Sequence, residues 1–211
     1  MSVTIAQLDY IITRRIPWSK SQTLDYVVRK NIEYNIQYLE FLCEHIASQT
    51  AVLQSIIVKN FLIVAFSIME GVLSYEFKKQ KLIPLDEWEN ISSIKANPKK
   101  VLETFLKTET IIYQKMSVPK EKSLTFKQKT DIAQNHKIFG NNPKVYKELC
   151  RLNKLRNKVH LHTMDELQET DYNRFSNKEF QNIKAFFLQF LHYYFKITVE
   201  EEQKYFSFLV Q

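Results

Sequence analysis

Apolar positions recur at three- and four-residue steps along much of the chain. From residue 21 to 48, Leu24, Val28, Ile32, Ile36, Leu39, Leu42 and Ile46 form one stripe, so a helix is expected to run to about Ser48, capped by Ser21 or Thr23. A second helix is expected from about Ala51 to Lys79. Its middle, "SIIVKNFLIVAFSIMEGVLSYEF", is apolar nearly all round and so belongs at the centre of a bundle.

The pattern weakens between residues 80 and 144. "KLIPLDEWENISSIKANPKK" reads as short helical pieces broken by Pro84 and Pro98, followed by a helix over "KKVLETFLKTETIIYQK". The lysine-rich "MSVPKEKSLTFKQKTDIAQNHKIFGNNPK" reads as an irregular excursion, giving an insert over about 112–144 and no second domain. Asn142 followed by Pro143 then starts a helix with a stripe of Val145, Leu149, Leu152, Leu155 and Val159. Ser176 or Asn177 caps a closing aromatic helix, "KEFQNIKAFFLQFLHYYFKI". Only two glycines and five prolines leave few tight turns for a sheet. The expectation is one all-α domain over residues 1–211, a helical bundle with an irregular basic insert.

Composition narrows the partners. A formal net charge of +7 favours approach to a polyanion, and nucleic acid is a candidate partner. Cys43 and Cys150 lie far apart with no CxxC spacing, which argues against a zinc site and a disulfide framework. "MSVTIAQLDYIITRR" lacks the cationic start and long apolar run of a signal peptide, and Lys59, Asn60 and Glu70 interrupt the apolar helix. A cytoplasmic setting, no membrane association, and neither metal nor cofactor are expected.

The chemistry-bearing stretch is "LCRLNKLRNKVHLH", residues 149–162. If the helix runs on through it, Arg156 lies roughly 50° to one side of the apolar stripe and His162 roughly 70° to the other. His160, four residues past Arg156, is its neighbour on the surface, and Asn157 and Lys158 point to solvent or to a partner. Metal-free RNA cleavage needs a base for the 2'-hydroxyl, an acid for the leaving 5'-oxygen, and a cation for the charged phosphorane. Histidine and arginine supply all three roles. A two-fold dimer would bring two of each together.

This stretch, lying after the long apolar helix and before the aromatic one, resembles the HEPN superfamily of helical nucleotide-binding domains, many of them ribonucleases. The family signature is an arginine, a polar residue such as asparagine, and a histidine after four to six intervening positions. Arg156, Asn157 and His162 fit with five residues between arginine and histidine; His160, with three, departs from that spacing. Which histidine partners Arg156 stays open.

The resemblance implies a metal-independent endoribonuclease acting as a homodimer, commonly a toxin with an antitoxin or another regulatory protein, or a phage-defence effector. Within it Glu70 is a candidate to orient Arg156 through a charge-assisted hydrogen bond. Lys154 and Lys158 beside the motif, and Lys127, Lys129 and Lys137 in the insert, are candidates for RNA contact, with Phe126 and Phe139 as stacking platforms. His45 and His192 read as structural. The alternative function is a catalytically inactive helical module that dimerises and binds nucleic acid or a partner protein.

Overall fold

The computed structural model of the chain describes residues 3–20, 23–101, 103–159 and 174–210. In chain order the elements are α1 (Ile5–Ile12), α2 (Leu24–Ile46), α3 (Ala51–Gln80), β1 (Leu85–Lys95), β2 (Lys99–Val101), β3 (Thr104–Leu106) and β4 (Glu109–Glu121). Then come α4 (Phe126–Asn135), α5 (Pro143–Asn157), α6 (Asn177–Phe195), α7 (Val199–Tyr205) and a 3-10 turn at Ser207–Leu209. The fold is 61% helix and 16% strand, a mixed architecture that overturns the all-α expectation.

The strands replace the helical pieces expected between residues 80 and 116. β1 and β4 pair antiparallel, setting Trp88 opposite Lys115, Asn90 opposite Tyr113 and Ile94 opposite Thr110, and β2 pairs β3 at the tip. Consecutive β-formers decide the matter: Thr110, Ile111, Ile112 and Tyr113 in β4 fit a pleated ladder better than a helix, where branched side chains lose rotamer freedom. Every described residue of the four strands is exposed except half-buried Met116. The ribbon therefore stands off the helices as an arm of about 36 Å at ~3.3 Å per residue.

The basic excursion is ordered as well, which corrects the second expectation for this region. Its first part is the end of β4. Thr125 and Gln128 then form a capping box, with the Gln128 amide donating to Thr125 Oγ1 at 3.3 Å and the Thr125 amide donating to Gln128 Oε1 at 2.9 Å. This box starts α4. After α4 the chain turns through Lys137 (φ 55°) and Gly140 (φ 86°) into α5.

α3 is the spine. Its side chains from Phe61 to Phe77 supply much of the core, against Ile32, Ile36 and Leu39 of α2, Leu149 and Leu152 of α5, and Phe187 and Phe190 of α6. By length and composition it could cross a membrane, with a window of mean hydropathy 2.0, but half of that window is buried in the fold. Its one deeply placed carboxylate, Glu76, is satisfied by the Tyr194 hydroxyl at 2.6 Å and the Gln80 amide at 2.7 Å. α1 is fastened to α2 by buried Arg29, which donates to Asp9 at 2.7 Å and to the Pro17 carbonyl at 2.9 Å.

Candidate functional site around Arg156

Asn142 accepts from the Lys144 amide at 3.0 Å and Pro143 occupies the first turn, so α5 begins where its sequence dictates. Val145, Leu149 and Leu152 bury its inner face. The helix stops at Asn157: the Lys158 amide bonds back to the carbonyls of Lys154 and Leu155, and the Val159 amide to that of Arg156. The unbroken helix used to place the histidines on a wheel thus ends short of them. His160 and His162 lie outside the described residues.

Arg156 therefore occupies the last turn of α5, next to α3. Its Nη2 donates to Glu70 Oε2 and to Asn153 Oδ1, both at 3.4 Å. Its guanidinium carbon sits 5.0 Å from the centre of the Phe66 ring. Glu70 and Phe66 are four residues apart on α3 and so share a face, which makes them floor and wall for the guanidinium. The side chains of Arg156 and Glu70 remain 31% and 34% exposed, respectively, so the pair borders solvent. At 3.4 Å the bond is longer than a tight charge-assisted one of ~2.8 Å.

Arg156 Nε is buried and has no hydrogen-bond partner among the described residues. An unmet buried donor costs about 1–3 kcal/mol, which an acceptor arriving from outside would recover. A guanidinium fixed on one edge with a donor unmet on another is suited to a phosphate oxygen.

The remaining candidates divide. Asn157 is exposed at the helix end, Lys154 is exposed one turn earlier, and Lys158 is half-buried at the cap. Lys127 is held by Asp131 at 3.1 Å, and that hydrogen bond raises its pKa. Lys129 borders a groove beneath the arm with Ser74, Phe77 and Glu121, and Lys137 is exposed in the turn after α4. Phe139 is no stacking platform: it is fully buried, edge-on to Phe190 at 5.4 Å. Phe126 is half-buried and packs on Phe66 at 5.0 Å. The insert's own helix thereby props the ring under Arg156.

His192 bonds the Ile197 carbonyl at 2.9 Å and Glu202 at 2.6 Å, tying the end of α6 to α7. His45 bonds the Phe41 carbonyl at 2.8 Å within α2. Among the described residues no three His, Cys, Asp or Glu side chains gather as a metal site.

Phe66 and Asn153 are the site residues that the sequence reading missed. The signal was available in their spacing, four before Glu70 and three before Arg156. No family model, curated protein or solved structure matches this chain.

Proposed function

We propose that the chain is a HEPN-like, metal-independent endoribonuclease. The observation that carries this reading is the Arg156 guanidinium, seated between Glu70 and Phe66 at the end of α5 with Nε unmet. In this account Arg156 pairs with the scissile phosphate and stabilises the phosphorane, while Glu70 and Asn153 fix the guanidinium plane. His162 or His160, just beyond the helix end, removes the 2'-hydroxyl proton and protonates the 5'-oxygen, and Asn157 supports the site. The bond from the 2'-oxygen to phosphorus forms as the bond to the 5'-oxygen breaks, leaving a 2',3'-cyclic phosphate and a 5'-hydroxyl.

One imidazole per chain serves both steps poorly, so the account calls for a homodimer that places two copies of the motif around one linkage. Lys154 and Lys158 contact the flanking phosphates. A cytoplasmic toxin or defence effector, restrained by an antitoxin or another regulatory protein, is the setting that fits such an activity.

The test is incubation of the purified chain with bulk tRNA and mRNA in excess chelator, followed by end analysis of the fragments. Cyclic phosphate ends support the proposal. Fragments with 3'-hydroxyl ends, or cleavage abolished by chelator, contradict it.

A further inference from the structure

The second feature that asks for a ligand lies at the start of α3. Lys184 of α6 is 3% exposed, and its ammonium group lies 5.0 Å from the centre of the Phe180 ring, with no ion pair among the described residues. Burial lowers its pKa, with nearby Cys43 acting weakly in the opposite sense. A buried ammonium without a counter-charge is costly to a fold, and an anion arriving from outside the chain would offset that cost.

Lys184 borders a cavity of about 520 Å³. Small-molecule sites span roughly 300–1,000 Å³ and combine apolar walls with a few polar groups. Here Val58, Phe175 and Phe180 supply the walls, and Gln54, Ser55 and Gln181 the hydrogen-bonding groups.

One helix ends on the cavity lining, α2 at Ile46 and Ala47, and brings the partial negative charge of a helix end. Two helices begin on its lining: α3 at Ala51, where Thr50 makes no side-chain cap, and α6 at Ser176 and Asn177. Helix starts carry partial positive charge, and at the α6 start Ser176 already accepts the Glu179 amide. Both starts therefore act in the same sense as the Lys184 ammonium. Among the described residues the one carboxylate on the lining is Glu44, exposed at the end of α2.

We propose that this cavity binds a small organic anion, with its phosphate, sulfonate or carboxylate head on Lys184 and a flat apolar body against Phe175 and Phe180. The site is distinct from Arg156 and does not depend on the ribonuclease reading. The probe is 1-anilinonaphthalene-8-sulfonate, which joins an anionic head to aromatic rings and fluoresces when it leaves water. The full chain is expected to bind it with micromolar affinity. Lys184→Met is expected to weaken binding at least tenfold, Lys184→Arg to retain most of it, and Trp88→Ser on the exposed arm to change nothing.

Folding of the variant is checked by its melting temperature, which should rise for Lys184→Met in the absence of probe because an unpaired buried charge has been removed. Equal binding by wild type and Lys184→Met overturns the proposal, as does equal binding of neutral N-phenyl-1-naphthylamine to both proteins with the same affinity as the sulfonate. Absence of any binding to the wild type overturns it too.

Discussion

Arg156 and Glu70 stand 86 residues apart in sequence and 3.4 Å apart in space, joining the end of α5 to the middle of α3. The bond is a direct polar link between these helices at the candidate site, and it sets which edge of the guanidinium faces outward. Because both side chains are about one-third exposed, solvent screens the pair and its contribution to stability is below about 1 kcal/mol. Glu70→Gln is therefore expected to leave the melting temperature within a few degrees of wild type while lowering RNA cleavage about tenfold or more. Unchanged cleavage by a folded Glu70→Gln protein would remove Glu70 from the mechanism.

Phe66 gives the contrasting case. It is 1% exposed and is packed by Phe126 on one side and Arg156 on another, so Phe66→Ala opens a core cavity and costs about 3–5 kcal/mol. Trp88, 56% exposed on the arm, is expected to cost less than about 0.5 kcal/mol as Trp88→Ser. Denaturant unfolding of the two variants checks the pair. Similar losses for both would mean that the arm is packed where the fold leaves it open.

The helices were legible because their signals are local. Thr23, Asn142 and Ser176 each accept a first-turn amide where a cap was expected, and the stripes bury Ile32, Ile36, Leu39 and Leu42 of α2 and Val145, Leu149 and Leu152 of α5, while Leu24 at the start of α2 is exposed. The arm was hidden because its ladder pairs residues such as Ile94 and Thr110 across the hairpin, a non-local relation, while its exposure on both faces removes the alternation of a half-buried strand. The capping box at Thr125 was present in the sequence but masked by the surrounding lysines. At the site, Arg156 was singled out by its chemistry and Glu70 by the family resemblance, whereas the spacing of Phe66 from Glu70 gained meaning once α3 and α5 were packed together.

A pH dependence follows from Glu33. Burial pushes its carboxyl up to about 7, against the opposing effect of Lys30, and Glu33 Oε1, 3.7 Å from Arg29 Nε, has no hydrogen-bond partner among the described residues. A carboxyl that holds its proton more tightly folded than unfolded stabilises the fold below its ordinary value of 4.5, and that stability is lost as pH rises through about 7. The loss is at most about 3 kcal/mol. Asp9 works the other way at the acid end: burial alone would raise it, but hydrogen bonds with Glu33 and Lys30 outweigh that and hold it low, so its contribution fades as pH falls through its folded pKa. Unfolding free energy is expected to decline from pH 5 to 8, and Glu33→Gln to flatten the decline. A wild-type profile that rises over this range would refute the assignment.

Burial also pushes the Cys43 thiol up to about 12. At pH 8 only about one thiol in ten thousand is then ionised, and the thiolate is the reactive form. In a Cys150→Ser background, Ellman's reagent is expected to react with native Cys43 at least a hundredfold more slowly than with the unfolded chain. Reaction at the unfolded rate would show that the thiol is open to water.

The central claim, that Arg156 stabilises the phosphorane during RNA cleavage, is tested most directly by the single-turnover cleavage rate of Arg156→Ala in excess chelator, with circular dichroism and melting temperature as controls for folding. The account predicts a fall of about 10²–10³-fold or more with the fold retained. A folded Arg156→Ala protein that cleaves at the wild-type rate would contradict it.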